Sequence, residues 1–178
     1  MISMRNLATL FCTVMFFTAS SVPVQSKEKL TAQSSPVAIA QQYVGLNTRE
    51  DRTELRSVVK VDPRRVPWCA AFVNAVLEMA GYEGTGSLLA RSFLDLGRPV
   101  REPRRGDIVV LKRGDEAWTG HVGFYVGETM VKGVRYVEVL GGNQRHSVAV
   151  SLYPKRLVLG YRRMVDESRR VLLASVLE

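Results

Sequence analysis

Between residues 36 and 97 apolar positions recur every three or four residues, and beyond Pro103 they switch to runs with a period of two. Val37, Ile39, Ala40, Tyr43 and Val44 fit one helical face, which predicts a helix from Pro36 to about Val44, ended by Gly45. The charged stretch Asn47–Lys60 keeps Leu55, Val58 and Val59 at spacings that suit a short helix. The strongest helical signal runs from Pro67 to Ala80. Phe72, Val73, Val76, Leu77 and Ala80 form its stripe, Pro67 suits the first turn and Gly81 the stop. Ser87 is placed to cap a further helix over Leu88–Leu96, closed by Gly97. Strands are predicted over 107–111, 121–126, 136–140, 147–152 and 157–164, each rich in Val, Ile, Leu or Tyr and bounded by Gly, Asp, Asn or Pro. Helices first and strands second predict an α+β fold, with the helices packed on an antiparallel sheet of about five strands.

The N-terminal pattern is of a different kind. Arg5 is the only charge before Lys27, and Leu7–Ala19 is almost wholly apolar. A charged start and an apolar stretch of about a dozen residues, too short to span a bilayer comfortably, predict a signal peptide over residues 1–26. Val24-Gln25-Ser26 suits cleavage before Lys27, Ala19-Ser20-Ser21 is a second candidate, and an uncleaved anchor is the alternative. In each case the domain is expected outside the cytoplasm, periplasmic or secreted. Residues 27–35 then form a Ser/Gln-rich lead-in, 36–164 a single catalytic domain, and 165–178 a charged and apolar tail.

Charge narrows the partners. The chain has 25 Lys and Arg against 17 Asp and Glu, a net charge of +8, with basic pairs at Arg64-Arg65, Arg104-Arg105, Arg162-Arg163 and Arg169-Arg170. Such a surface attracts polyanions, although solubility alone also accounts for it. Export favours an anionic wall polymer or membrane surface over nucleic acid. Gly84-Thr85-Gly86-Ser87 lacks the spacing of a phosphate loop and follows a helix, so nucleotide binding is excluded.

Cleavage would remove Cys12 and leave Cys69 as the only cysteine, unable to form an internal disulfide. It stands where the strongest helix begins. There the helix dipole and free N–H groups favour a thiolate, so a depressed thiol pKa is expected; a buried inert sulfur is the alternative. A nucleophile needs a base, and the chain has two histidines. His121 opens a predicted strand after Gly120, whereas His146 sits in the polar turn Gln144-Arg145-His146-Ser147, so His121 is the better placed. Asn143, after Gly141-Gly142, offers a side-chain carbonyl to orient the imidazole. Glu138 is the alternative third residue, although a regular strand would point it away. The N–H of Cys69 is the natural first oxyanion donor. Trp68 and Trp118 flank the two catalytic residues in sequence, either as walls of a substrate groove or as packing.

The blocks Pro67-Trp68-Cys69-Ala70-Ala71-Phe72-Val73, Gly106-Asp107-Ile108-Val109-Val110, Gly120-His121-Val122-Gly123-Phe124 and Leu140-Gly141-Gly142-Asn143-Gln144 occur in this order. With them the chain resembles the CHAP family of cysteine- and histidine-dependent amidohydrolases and peptidases, over roughly Pro36–Arg163. The resemblance implies a papain-like fold and hydrolysis of amide bonds in peptidoglycan peptides; a non-catalytic wall- or polyanion-binding module and a cysteine amidase acting on a small soluble amide are the alternatives. It also implies Cys69 as nucleophile, His121 as base and Asn143 as the polar third residue. Many members carry Gln just before the cysteine, where this chain has Trp68. Some bind calcium through clustered acids, but Glu50-Asp51-Arg52-Thr53-Glu54 lacks the alternating oxygen ligands of a calcium loop. No metal and no other cofactor are expected, and the protein is expected to act as a monomer.

Overall fold

The computed structural model describes residues 35–165. The predicted leader, all of the lead-in but Ser35, and the tail beyond Val165 lie outside the described residues. The architecture is α+β. Three helices, α1 (Pro36–Gln41), α2 (Arg52–Val59) and α3 (Cys69–Met79), precede six strands: β1 (Arg98–Val100), β2 (Ile108–Lys112), β3 (Gly120–Val131), β4 (Val134–Gln144), β5 (Ser147–Pro154) and β6 (Val158–Arg163). They form one sheet in the order β1-β6-β2-β3-β4-β5, with every neighbouring pair antiparallel.

Four details differ from the sequence reading. The sheet has six strands, because Arg98–Val100 pairs with β6. That strand has only three residues and contains Pro99, so it carries almost no alternation to read. The segment read as a helix over 88–96 is a 3-10 turn at Ala90–Asp95; the Ser87 hydroxyl accepts from Leu89 N–H, but just ahead of the turn. Pro67 lies outside α3, whose N-cap is Trp68. Finally, β3 and β4 extend into a long hairpin, and Gly141-Gly142-Asn143 lie within β4 rather than in the turn after it.

The sheet is buried on both faces. On one, Ile108, Val110, Val122, Phe124, Leu140 and Val148 join α3 residues such as Phe72, Val73 and Val76 in the main core. On the other, Val109, Leu111, Val137, Val139 and Tyr161 form a second cluster with Tyr125, Tyr153 and Leu157. This two-sided burial explains why Ile108–Leu111 reads as a continuous apolar run. A carboxylate closes the edge of the structure: Asp107, buried, accepts from Arg163 Nε and Nη2 at 2.8 and 2.7 Å and from Arg104 N–H at 2.7 Å.

Two glycines set how closely the layers approach. A Cβ on Gly142 would lie 2.5 Å from Trp68 Cζ3 and 2.7 Å from Phe72 Cβ, so the start of α3 rests directly on the β4 backbone. A Cβ on Gly123 would lie 2.6 Å from Val139 Cγ1. The missing side chain at Gly142 brings the helix start against β4, and the one at Gly123 lets β3 lie close to Val139 and Leu140 of β4.

Candidate active site

Cys69 is the first residue of α3, whose opening hydrogen bond runs from Phe72 N–H to Trp68 O at 2.9 Å. The residue is 3 % exposed. The backbone N–H of Val122, the residue after His121, lies close enough to act on the thiol pKa, so the helix start meets the sheet where the histidine stands. The thiol pKa is pushed up, against the expected depression. Burial is the dominant cause. The N–H groups of Val122, Ala70 and Cys69, and the charge of Arg113, pull the other way without prevailing. The helix start does supply donors, but they act on a sulfur that the packing has removed from water.

His121 is the second residue of β3, opposite Leu111. Its side chain is 1 % exposed, and neither Nδ1 nor Nε2 has a hydrogen-bond partner among the described residues. Burial, then the nearby Arg113, holds its pKa down at about 4. At neutral pH the pair is therefore a thiol and a neutral imidazole, not a thiolate and an imidazolium.

What holds the ring is stacking. Tyr153 of β5 lies against it with centroids 5.3 Å apart and planes at 30°. The Tyr153 hydroxyl donates to Gln144 Oε1 at 2.9 Å, and Gln144 Nε2 donates to Val139 O and Ala149 O at 2.8 and 2.6 Å. The sequence makes neither Tyr153 nor Gln144 a candidate catalytic residue, although Gln144 closes the block Leu140-Gly141-Gly142-Asn143-Gln144. Tyr153 falls one residue past the predicted strand end, and only alternation continued from Ala149 and Ser151 could have pointed to it.

Asn143 sits at the bulge between Gly141 and Gln144, with φ of +57°. It lines the same cleft as His121, although it makes no hydrogen bond to the ring. Glu138 lies further down β4, opposite Gly127 and Leu152, about 16 Å along the strand from Asn143 at roughly 3.3 Å per residue. Its charge is felt by Tyr125. Trp68 is fully buried and packs edge-on against Phe72, so it fills core rather than walling a groove. Trp118 is 65 % exposed ahead of β3. His146 is exposed at the tip of the β4–β5 hairpin, where its carbonyl accepts from Thr48 N–H.

Two clefts flank this arrangement. One, of about 470 Å³, is lined by His121, Tyr153, Asn143, Gln144, Arg113 and Arg145 among others. The second, of about 790 Å³, runs from Pro67 past Arg64 to Asn143, Arg145 and His146. Cys69 lines neither. Among the described residues no group of three His, Cys, Asp or Glu side chains is placed to hold a metal ion.

Residues 61–143 match the family model of the CHAP domain. Over this segment the chain is similar to CHAP domains. The match includes Cys69, His121 and Asn143, and it begins after α1 and α2 and ends within β4. No curated protein matches the chain. CHAP domains hydrolyse amide bonds and act on peptidoglycan.

Proposed function

We propose that this protein is an exported, monomeric cysteine hydrolase that cuts amide bonds in peptidoglycan peptides, with Cys69 as nucleophile and His121 as base. The observation that carries the reading is the meeting of Cys69 at the start of α3 with the strand that bears His121, within the segment similar to CHAP domains. With a neutral pair at rest, proton transfer and attack go together. The Cys69 S–H proton passes to His121 as the sulfur bonds to the carbonyl carbon, and the carbonyl π electrons move onto oxygen. The Cys69 N–H is the first donor to that oxyanion. The oxyanion then collapses, the C–N bond breaks, and His121 protonates the leaving amine. Water, deprotonated by His121, next attacks the thioester carbonyl; the acid leaves and the sulfur regains its proton. Asn143, on the wall of the histidine cleft, is the polar third residue in this scheme.

The test is digestion of purified sacculi by the wild type and by Cys69→Ala, with mass analysis of the released fragments. Release of peptide fragments by the wild type alone is the expected result. It also identifies the bond cut. Undiminished lysis by Cys69→Ala would remove the assignment. A second reading, a non-catalytic wall- or polyanion-binding module, draws on one observation: the sulfur is buried and its pKa raised. That reading predicts binding to sacculi with no fragments from either protein.

A further inference from the structure

The larger cleft opens beside the histidine cleft, and the two share Asn143 and Arg145. Its charge is one-sided: Arg49, Arg64, Arg65 and Arg145 line it, against Glu50 alone. The neighbouring acids are already engaged. Asp62 is paired with Arg52 at 2.5 Å, and Asp51 accepts from Asn47 N–H at 2.9 Å. Arg65 Nε also lies 3.6 Å from Asp62 Oδ2, whereas Arg49, Arg64 and Arg145 have no ion pair among the described residues.

The wall is also built to a fixed shape. Asn143, Arg145 and His146 have φ of +57°, +52° and +65°, a conformation that costs free energy for residues other than glycine. The hairpin tip is pinned from across the cleft, because the His146 carbonyl accepts both Thr48 N–H and Thr48 Oγ1 at 2.9 Å. The Arg64 guanidinium reaches the carbonyls of Thr48 and Arg49 at 3.4 and 3.3 Å. The strained residues are therefore concentrated where the basic wall meets the histidine cleft.

We propose that this cleft is a carboxylate-recognising subsite, in which Arg145 and the arginines opposite it bind a free carboxylate of the peptide whose amide bond lies at Cys69. The inference rests on the proposed hydrolase reading for the position of the scissile bond, but not for the binding itself. A guanidinium gives a planar fork to a carboxylate, and charge-assisted bonds of this kind exceed neutral ones in strength. Arg145 lines both clefts, so a carboxylate held there lies beside the cleft that His121 lines.

The experiment measures binding to Cys69→Ala protein, which removes turnover from the readout. Two probes are used: a synthetic peptidoglycan stem pentapeptide with free carboxylates, and the same peptide amidated at each of them. The expected result is an affinity at least about tenfold higher for the acid form. In the Cys69→Ala background, Arg145→Asn, a residue that tolerates the left-handed backbone, removes most of that difference while leaving the amidated peptide unaffected. Arg49→Gln, on the opposite wall, lowers the acid-peptide affinity in the same sense. Equal affinity for the two peptides, or an acid preference untouched by either substitution, overturns the subsite. Binding of polyphosphate with no binding of the acid peptide also overturns it, in favour of a general polyanion surface. Failure of wild-type protein to release fragments from sacculi bears on the hydrolase reading alone.

Discussion

His121 carries a proton economy that can be measured directly. In the unfolded chain its imidazole titrates near 6.5, and in the folded protein near 4, because burial disfavours the cation. Between these values the unfolded state binds more protons, so stability falls as pH drops from about 6.5 to 4. The loss amounts to about 3 kcal/mol once both values are passed. Urea unfolding at pH 7 and pH 4 is expected to show this loss, and His121→Gln to flatten it. Asp62 acts in a lower window. Its carboxyl is held down at about 2, chiefly by Arg52, so its contribution is present above about 3.8 and is lost as pH falls through 2. Tyr153 is a positioning residue for the ring it stacks on. Tyr153→Phe keeps the face and loses only the bond to Gln144, and is expected to retain most activity. Tyr153→Ala frees the ring and is expected to lower kcat by about tenfold or more with little change in KM. A pH–rate profile adds a second readout, since a ring opened to water regains a pKa nearer 6.5 and moves the acidic limb upward. Cys69 and His121 were legible in the sequence as residue types at element starts. Their ionisation was not: it depends on how completely Val122, Phe124 and the helices exclude water, which no local motif specifies.

At the scale of elements, the decisive contact is that of α3 on β4. Gly142 permits it, since its missing Cβ is the space occupied by the Trp68 ring and the Phe72 Cβ. Gly142→Ala must separate the layers or tilt the indole, and is expected to cost about 1–3 kcal/mol. It is also expected to reduce activity beyond the loss of folded protein, because the helix that moves carries the nucleophile. Thermal unfolding alongside activity per folded molecule checks both effects. The glycines of this segment were readable as places of close approach, but not as residues within a strand, because Gly-Gly-Asn is also the composition of a turn. In the same way polar Glu128, Thr129 and Arg135 hid the outer half of the β3–β4 hairpin, which is stabilised by cross-strand pairing rather than by a buried face. Helix α3 was easy to see for the opposite reason: eight of its residues are buried, and the stripe they make has no competing period.

Across the whole molecule, charge and burial have separate jobs. A net charge of +8 favours anionic surfaces at long range, and that attraction is screened within about 8 Å at physiological salt. Binding of Cys69→Ala protein to sacculi is therefore expected to weaken several-fold between about 50 and 300 mM salt. Uncharged competitors should leave that slope unchanged. The α+β class was legible from the change of period after Pro103, whereas the sixth strand and the second cluster behind the sheet required the assembled tertiary structure. The depth at which the sulfur lies has one more effect. Peroxide attacks the ionised form of a thiol and needs access to it. A thiol kept protonated in a residue 3 % exposed is shielded on both counts, so Cys69 is expected to survive in an oxidising medium that would convert a surface thiolate to sulfenic acid.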